Sequence, residues 1–408
     1  MEPLLEAVGV PIVRQFGPLK SEPPWRLMFL SPCWHRGGLE AVTITHLKNL
    51  RRDLFEPVIL TGDVNDMDDS LPEGVDLALE PGAFEWEFPP SPQRFTAAKG
   101  AAMRMMGHVR PDIVIGQLAH AGLFAANELQ VPIIGEYHHC GWSWDAMEHP
   151  SDFIVAVSQH TALRVPRMGR LPSVPTYLIT NGIDGDLFHP DLQGREEVRE
   201  QLGFGPDDQV VGFAGRIASE KLPMEWVSTV ANLRQVDAPD RPRNPDVRGL
   251  MVGPIWDKEV YDSTRDRAEK RGLVWGEDII HVHAPLAAMR CFYAAMDCLM
   301  HTRQDEPWGL VLPEALMCGT PVAAFGGGGI PEIAERIGNP YWFDLCEPGD
   351  LDELADAVAA LLHHGRCPDG FAKAVAQEFS AVAMTRRFEE LLLQYVERRL
   401  SVQPSEVT

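Results

Sequence analysis

From Arg26 onward, short apolar runs rich in Leu, Ile and Val alternate with longer stretches in which apolar residues recur at helical spacing. A strand covered on both faces needs apolar side chains at nearly every position, so this alternation predicts buried parallel strands joined by crossover helices. In the first half the pattern predicts strands at 27–30, 58–61, 113–116, 133–136, 153–157 and 177–179. In the second half it predicts them at 210–214, 250–252, 279–282, 298–300, 322–325 and 341–343. Two such series imply an α/β chain of two doubly wound parallel-sheet domains.

The two series are separated between Asn181 and Pro190, where glycines and a proline stop regular structure. The expected domains are therefore 1–187, with 1–25 as an irregular proline-bearing extension, and 188–383. Phe388, Leu391, Leu392 and Val396 at helical spacing predict a last helix within 384–408 that packs back on the first domain.

Composition then narrows the classes of partner. The 408 residues carry a formal net charge of −23, which repels nucleic acid and anionic lipid at long range. Arg94, Lys99, Arg104 and Arg110 lie along one helical segment, 94–110, which reads as a solvated face, so membrane association is disfavoured as well. No stretch approaches the roughly 18 apolar residues of a membrane span, and the N-terminus lacks the basic-then-apolar pattern of a signal peptide. Seven scattered cysteines suit a reducing compartment, and a cytoplasmic location is expected. His138, His139, Cys140 and His149 cluster in sequence but without metal-ligand spacing, so neither a metal nor another cofactor is expected. The sequence leaves the oligomeric state open.

The chemistry concentrates in the second half. Between Asp305 and Phe325, Pro313 suits the first turn of a helix and Gly319 the position just past its end, which predicts a short helix at 312–318. The N–H groups of Gly309, Leu310 and Val311 then lie at its open start, where unpaired donors and the helix dipole favour an anion such as phosphate. Glu306 and Glu314 flank this start; carboxylates beside a phosphate are suited to accept hydrogen bonds from hydroxyl groups on either side of it. A diphosphate flanked by two polyols is what a nucleotide-sugar presents. Arg216 and Lys221 follow the strand at 210–214 and supply positive charge where open α/β sheets bind ligands. Gly326 to Gly329 are expected to form a flexible loop. Gly37 and Gly38 begin a helix after the first strand and leave its N–H groups open to a ligand.

In this order, Asn181-Gly182-Ile183-Asp184, Gly215-Arg216 with Glu220-Lys221, and Glu306 with Glu314 resemble the retaining glycosyltransferases of family 4, which have a GT-B fold: two Rossmann-like domains facing a cleft. The resemblance implies that Glu306 contacts the donor sugar's hydroxyls and Glu314 the ribose, that Arg216 and Lys221 neutralise the diphosphate, and that Gly37 and Gly38 face the phosphates. It further implies that His138, at the end of a predicted strand, contacts the sugar near the reacting carbon. The base is expected against backbone groups between His281 and Pro285, with Val282 among the donor-binding residues. Where many relatives carry His-x-His, this chain has Ile115-Gly116-Gln117, so no role carries over; Gln117, His120 and Trp142 are candidates for the acceptor side.

The implied reaction is metal-independent front-face transfer of a hexose, with a UDP-sugar as the family default, to a hydroxyl-bearing acceptor. Two alternatives remain open: another GT-B enzyme, either an inverting transferase or a sugar-nucleotide epimerase, and a non-catalytic sugar-nucleotide-binding protein. A dehydrogenase is excluded, since no Gly-x-Gly-x-x-Gly opens a helix after the first strand.

Overall fold

The apolar runs become the strands of two parallel sheets. A computed structural model describes residues 19–31, 37–62, 71–84, 91–116, 120–137, 151–168, 174–234, 246–338 and 341–402. The first sheet contains β1 (Trp25–Ser31), β2 (Phe55–Thr61), β3 (Asp76–Leu79), β4 (Ile113–Gly116), β5 (Ile133–Tyr137), β6 (Phe153–Ala156) and β7 (Thr176–Leu178). Their order is β3-β2-β1-β4-β5-β6-β7. The second sheet contains β8 (Gln209–Ala214), β9 (Val247–Val252), β10 (Ile279–Val282), β11 (Cys298–His301), β12 (Val322–Phe325) and β13 (Phe343–Cys346), in the order β10-β9-β8-β11-β12-β13. In each sheet the strand order reverses beside the first strand, between β1 and β4 and between β8 and β11. Such a reversal opens a crevice at the carboxyl ends of the strands.

The helices are α1 (Gly38–Asn49), α2 (Pro92–Val109), α3 (His120–Glu128), α4 (Gln159–Met168), α5 (Leu192–Gln201), α6 (Pro223–Arg234) and α7 (Lys258–Lys270). They continue with α8 (Met289–Ala295), α9 (Val311–Met317), α10 (Ile330–Ile337), α11 (Leu351–His364), α12 (Asp369–Glu378) and α13 (Ala381–Val402). Among the described residues, no helix is long and apolar enough to cross a membrane.

Two compact units result, one of residues 1–182 with 381–408, the other of 183–380. In the second unit Ile183 and Ser380 bridge in parallel, and Ile183 N–H donates to Phe379 O at 2.7 Å. In the first, α13 is held by buried polar contacts as well as by its apolar stripe. The Glu389 side chain, fully buried, accepts from Arg51 Nε at 2.8 Å and from Arg386 at 2.7 Å. Tyr395 Oη donates to Asp152 at 2.7 Å, and the Phe388 ring lies 4.7 Å from that of His46.

Most strands shift at one or both ends by up to three residues from expectation, and three differences change the sheets or the site. β3 was not anticipated: it is an edge strand in which only Ala78 is buried, while Leu77 and Leu79 stay exposed, so its sequence carries no core pattern. The last strand is Phe343–Cys346 rather than 341–343, because Tyr341 projects into solvent and the register against β12 begins at Val322↔Phe343. β11 runs one residue further than expected and so delivers buried His301 to the carboxyl edge.

Candidate functional site

In the second unit Lys221, His301, Thr302, Arg303 and Glu306 come together where its strand order reverses. Beyond β8 and β9 the backbone pairing continues: Gly215 N–H donates to Val252 O at 3.0 Å and Ile217 N–H to Pro254 O at 2.9 Å. The two chains approach so closely that a Cβ on Gly253 would lie 2.0 Å from Gly215 O, and Gly253 itself sits at φ +154°. Only glycine fits there. This crossing fixes the base of Arg216, whose guanidinium lies 4.7 Å from the Trp256 ring centroid and 3.4 Å from Glu220 Oε1. The next strand over is pinned in turn, since His281 Nε2 donates to Gly253 O at 2.9 Å and Gly253 N–H to Val282 O at 2.9 Å. Burial, then the neighbouring His283, lower the His281 pKa, and the bond to Gly253 works the other way.

Lys221 ends a single 3-10 turn, Ser219–Lys221, in the same loop. From across the strand reversal, Thr302 Oγ1 donates to Lys221 O at 2.8 Å, and Lys221 Nζ donates to Glu306 Oε2 at 2.6 Å. Backbone and side chain thus join the loop after β8 to the loop after β11. His301 Nε2 and Arg303 lie 3.4 Å and 3.6 Å from the same carboxylate oxygen. Burial opposes ionisation of Glu306, yet Lys221, His301 and Arg303 outweigh it and hold the carboxyl well below its usual range. Burial lowers the Lys221 pKa, and Glu306 counters that shift.

The glycine run, expected as a flexible loop, forms the third wall of this arrangement by close backbone contacts. Gly329 N–H donates to Glu306 O at 2.7 Å and Gly326 N–H to Cys346 O at 2.8 Å. A Cβ on Gly327 would lie 1.7 Å from Gln304 O, and one on Gly328 2.1 Å from Glu306 O. The run lets two backbones touch and so seats the loop that carries Glu306. Gly327→Ala is expected to push that loop off its seat, costing about 1–3 kcal/mol by overpacking and loosening the Lys221–Glu306 pair. Gly326→Ala, whose Cβ would meet nothing nearer than 3.5 Å, is expected to be tolerated. Thermal unfolding of the two variants side by side checks this; equal stabilities would contradict it.

Glu314 lies in a different environment. The helix carrying it, α9, begins at Val311, one residue earlier than expected, and no side chain caps its start at Leu310. Tyr293 Oη donates to Glu314 Oε2 at 2.7 Å, and Thr320 Oγ1 holds Tyr293 O at 2.6 Å. The Phe188 ring packs 6.0 Å from that of Tyr293. Among the described residues no cation offsets the burial here, so the Glu314 carboxyl is pushed up to about 7, with Tyr293 working in the opposite direction. Two carboxylates eight positions apart thus differ in kind: Glu306 is held ionised, while Glu314 titrates near neutrality.

In the first unit, Gly37 precedes α1 with extended backbone and Gly38 opens it; a Cβ on Gly37 would lie 2.7 Å from Glu40 Oε2. His120 is the first residue of α3. Gln117, His138 and Trp142 lie outside the described residues. Four residues near the predicted site were missed from sequence: Trp256, Tyr293, His301 and Arg303. For Arg303 a signal existed in its i, i+3 spacing to Glu306. For Tyr293 and Trp256, distant in sequence from their partners, there was none.

Known proteins match both halves. Residues 194–377 match the family described as glycosyl transferases group 1, and residues 36–187 match glycosyltransferase family 4. A D-inositol 3-phosphate glycosyltransferase of Mycobacterium marinum is 28% identical over 218 residues, 52% of this chain but only 43% of that relative. A GDP-mannose-dependent alpha-mannosyltransferase of Mycobacterium tuberculosis is 27% identical over 357 residues, 80% of this chain and 84% of the relative. Among solved structures, Anabaena HepE in complex with UDP and glucose has a TM-score of 0.72 at 21% identity, covering 90% of this chain and 99% of its own. WaaG, a glycosyltransferase involved in lipopolysaccharide biosynthesis, has a TM-score of 0.66 at 14% identity, covering 90% and 99%. These likenesses identify the two-sheet architecture as the GT-B fold.

Proposed function

We propose that this chain, which belongs to the group 1 glycosyltransferases of family 4, moves a hexose from a nucleoside-diphosphate sugar to a hydroxyl-bearing acceptor with retention of configuration. The observation that carries the proposal is the 2.6 Å pair between Lys221 Nζ and Glu306 Oε2, reinforced by Thr302 on Lys221 O. It brings a cation suited to a diphosphate and a carboxylate suited to sugar hydroxyls to one point at the strand reversal, where ligands of such sheets bind. Arg216, held against Trp256, adds a second cation. Gly309, Leu310 and Val311 present N–H groups at the start of α9.

The chemistry that follows is a front-face displacement. The bond from sugar to phosphate stretches until the sugar has oxocarbenium character, and the departing phosphate oxygen accepts the proton of the acceptor hydroxyl. Catalysis then rests on stabilising the charge that builds on the diphosphate, through Lys221 and Arg216. Glu306 accepts hydrogen bonds from the sugar hydroxyls and Glu314 from the ribose.

A UDP-sugar is the favoured donor, supported by the fold shared with HepE, which was solved with UDP-glucose. The relative named for GDP-mannose makes that nucleotide the direct comparison. Thermal-shift measurements with UDP, GDP, ADP and their hexose conjugates test the reading, because a ligand at about 100 times its Kd adds about 2.7 kcal/mol of stability. The expected result is a clear rise with the UDP series. A rise with none of them overturns the function; a rise with GDP alone overturns the choice of base. The anomer of the product distinguishes retention from inversion.

A further inference from the structure

We propose that Arg303 is a positioning residue that keeps Glu306 in place for the donor sugar once the donor's diphosphate draws Lys221 away. The inference rests on the donor-site reading above and adds a residue to which that reading gives no part.

Lys221 is engaged before any donor arrives, since its ammonium pairs with Glu306 Oε2 at 2.6 Å. A diphosphate carries more negative charge than one carboxylate and competes for the same ammonium. If Lys221 turned to it with nothing in its place, Glu306 would be left as a buried and poorly compensated carboxylate. Such a group takes up a proton rather than stay charged. A protonated Glu306 gives up an acceptor position and, having lost its charge, accepts hydrogen bonds from sugar hydroxyls more weakly.

Arg303 is placed to prevent this. It stands three residues before Glu306 in one loop, so the two move together, whereas Lys221 belongs to the loop after β8. Its Nε donates to Asp305 O at 2.9 Å, which fixes the guanidinium plane, and another nitrogen stands 3.6 Å from Glu306 Oε2. That distance is an ion pair short of a hydrogen bond, leaving room to close as Lys221 withdraws. The Arg303 side chain is 12% exposed, so water screens the pair weakly. Among the described residues, the remaining titratable group facing the carboxylate is His301, 3.4 Å away, whose pKa burial lowers, so it is a poor substitute for a cation. Arg216 lies near Lys221 but pairs with Glu220. The glycines behind the loop contribute only backbone.

The test compares a nucleoside diphosphate with its hexose conjugate, taken from the UDP or GDP series; the free terminal phosphate titrates at about pH 6 and the sugar-bearing one does not, so each variant is read against the wild type at the same pH. Binding of each to the full chain and to Arg303→Gln is measured by calorimetry between pH 6 and pH 8. The expected result is nucleoside diphosphate affinity within about 3-fold of the wild type, and nucleotide-sugar affinity about 10-fold weaker, the scale of one charge-assisted hydrogen bond. The variant's ratio of the two affinities, divided by the wild type's at the same pH so that the titration of the free terminal phosphate cancels, should worsen toward pH 6. Glu314 faces the ribose common to both ligands and cancels from that ratio. Arg303→Lys should restore most of the loss, which a purely structural role of the planar guanidinium would not allow. If Arg303→Gln fails to fold, Arg303→Met keeps the buried stem and carries the same measurement. An unchanged ratio overturns the proposal, as does an equal loss for both ligands, which would make Arg303 a phosphate contact. If the wild type binds neither series, the donor-site reading itself fails, and the inference with it.

Discussion

Replacing Lys221 with methionine is expected to lower turnover by at least about 10²-fold, the scale for losing one preorganised group that stabilises developing charge. The loss has two parts. The departing diphosphate loses a cation, and before the donor binds Glu306 lacks its nearest partner in a setting where burial already works against its ionisation. Arg216→Ala should produce a comparable fall through the first part alone, since Arg216 pairs with Glu220 and not with Glu306. Stability separates the two variants. Stripping one partner from a buried pair costs about 3–5 kcal/mol when nothing else compensates, and Arg303 and His301 should reduce that figure for Lys221→Met. Adding Glu306→Gln to Lys221→Met should then recover melting temperature without recovering turnover. Nucleoside diphosphate release from the donor selected by thermal shift is the measurement of turnover. Near-normal rates in both single variants would remove charge stabilisation at this point as the source of catalysis.

The sequence made Lys221 and Glu306 legible because each belongs to a motif with fixed neighbours, and the strands leading to them are continuous apolar runs. What it concealed has identifiable physical causes. β3 pairs only at one edge and buries a single alanine, so its composition resembles a loop. β13 was misplaced toward Tyr341 because an aromatic residue raises strand propensity whether or not it faces the core. Glycine frees the backbone, so in sequence the run reads as slack. The close approach of Gly327 to Gln304 O depends on a loop more than twenty residues earlier, which no local pattern reports. Tyr293 and Glu314 meet for the same reason: α8 and α9 are brought together by the sheet, so the phenol on one finds the carboxylate on the other only after folding. Motif reading recovers Lys221, Glu306 and Glu314; the residues that set their charge state come from packing.

That difference is clearest at Glu314, where packing predicts a pH dependence that the motif does not. The carboxyl is buried, its pKa is raised from the usual 4.5 to about 7, and Tyr293 offsets the burial only in part. Between those two values the folded chain retains a proton that the unfolded chain has released. Stability from this group is therefore full below pH 4.5 and falls as pH rises to 7, by roughly 3 kcal/mol in all, then stays flat. Glu314→Gln keeps the shape and still accepts the Tyr293 hydrogen bond but cannot ionise. It should match the wild type near pH 5 and unfold at a higher temperature at pH 8, which calorimetric scans across that range would show. Donor binding should oppose the trend. Ribose hydroxyls donating to the carboxylate favour its ionised form, so nucleotide affinity should rise as pH increases through 7, with a proton released on binding, and Glu314→Gln should abolish both effects. Titration in buffers of different ionisation enthalpy counts that proton. A wild type whose stability relative to Glu314→Gln is the same at pH 5 and pH 8 would mean that Glu314 is ionised throughout, with a cation or water supplying what the buried site lacks.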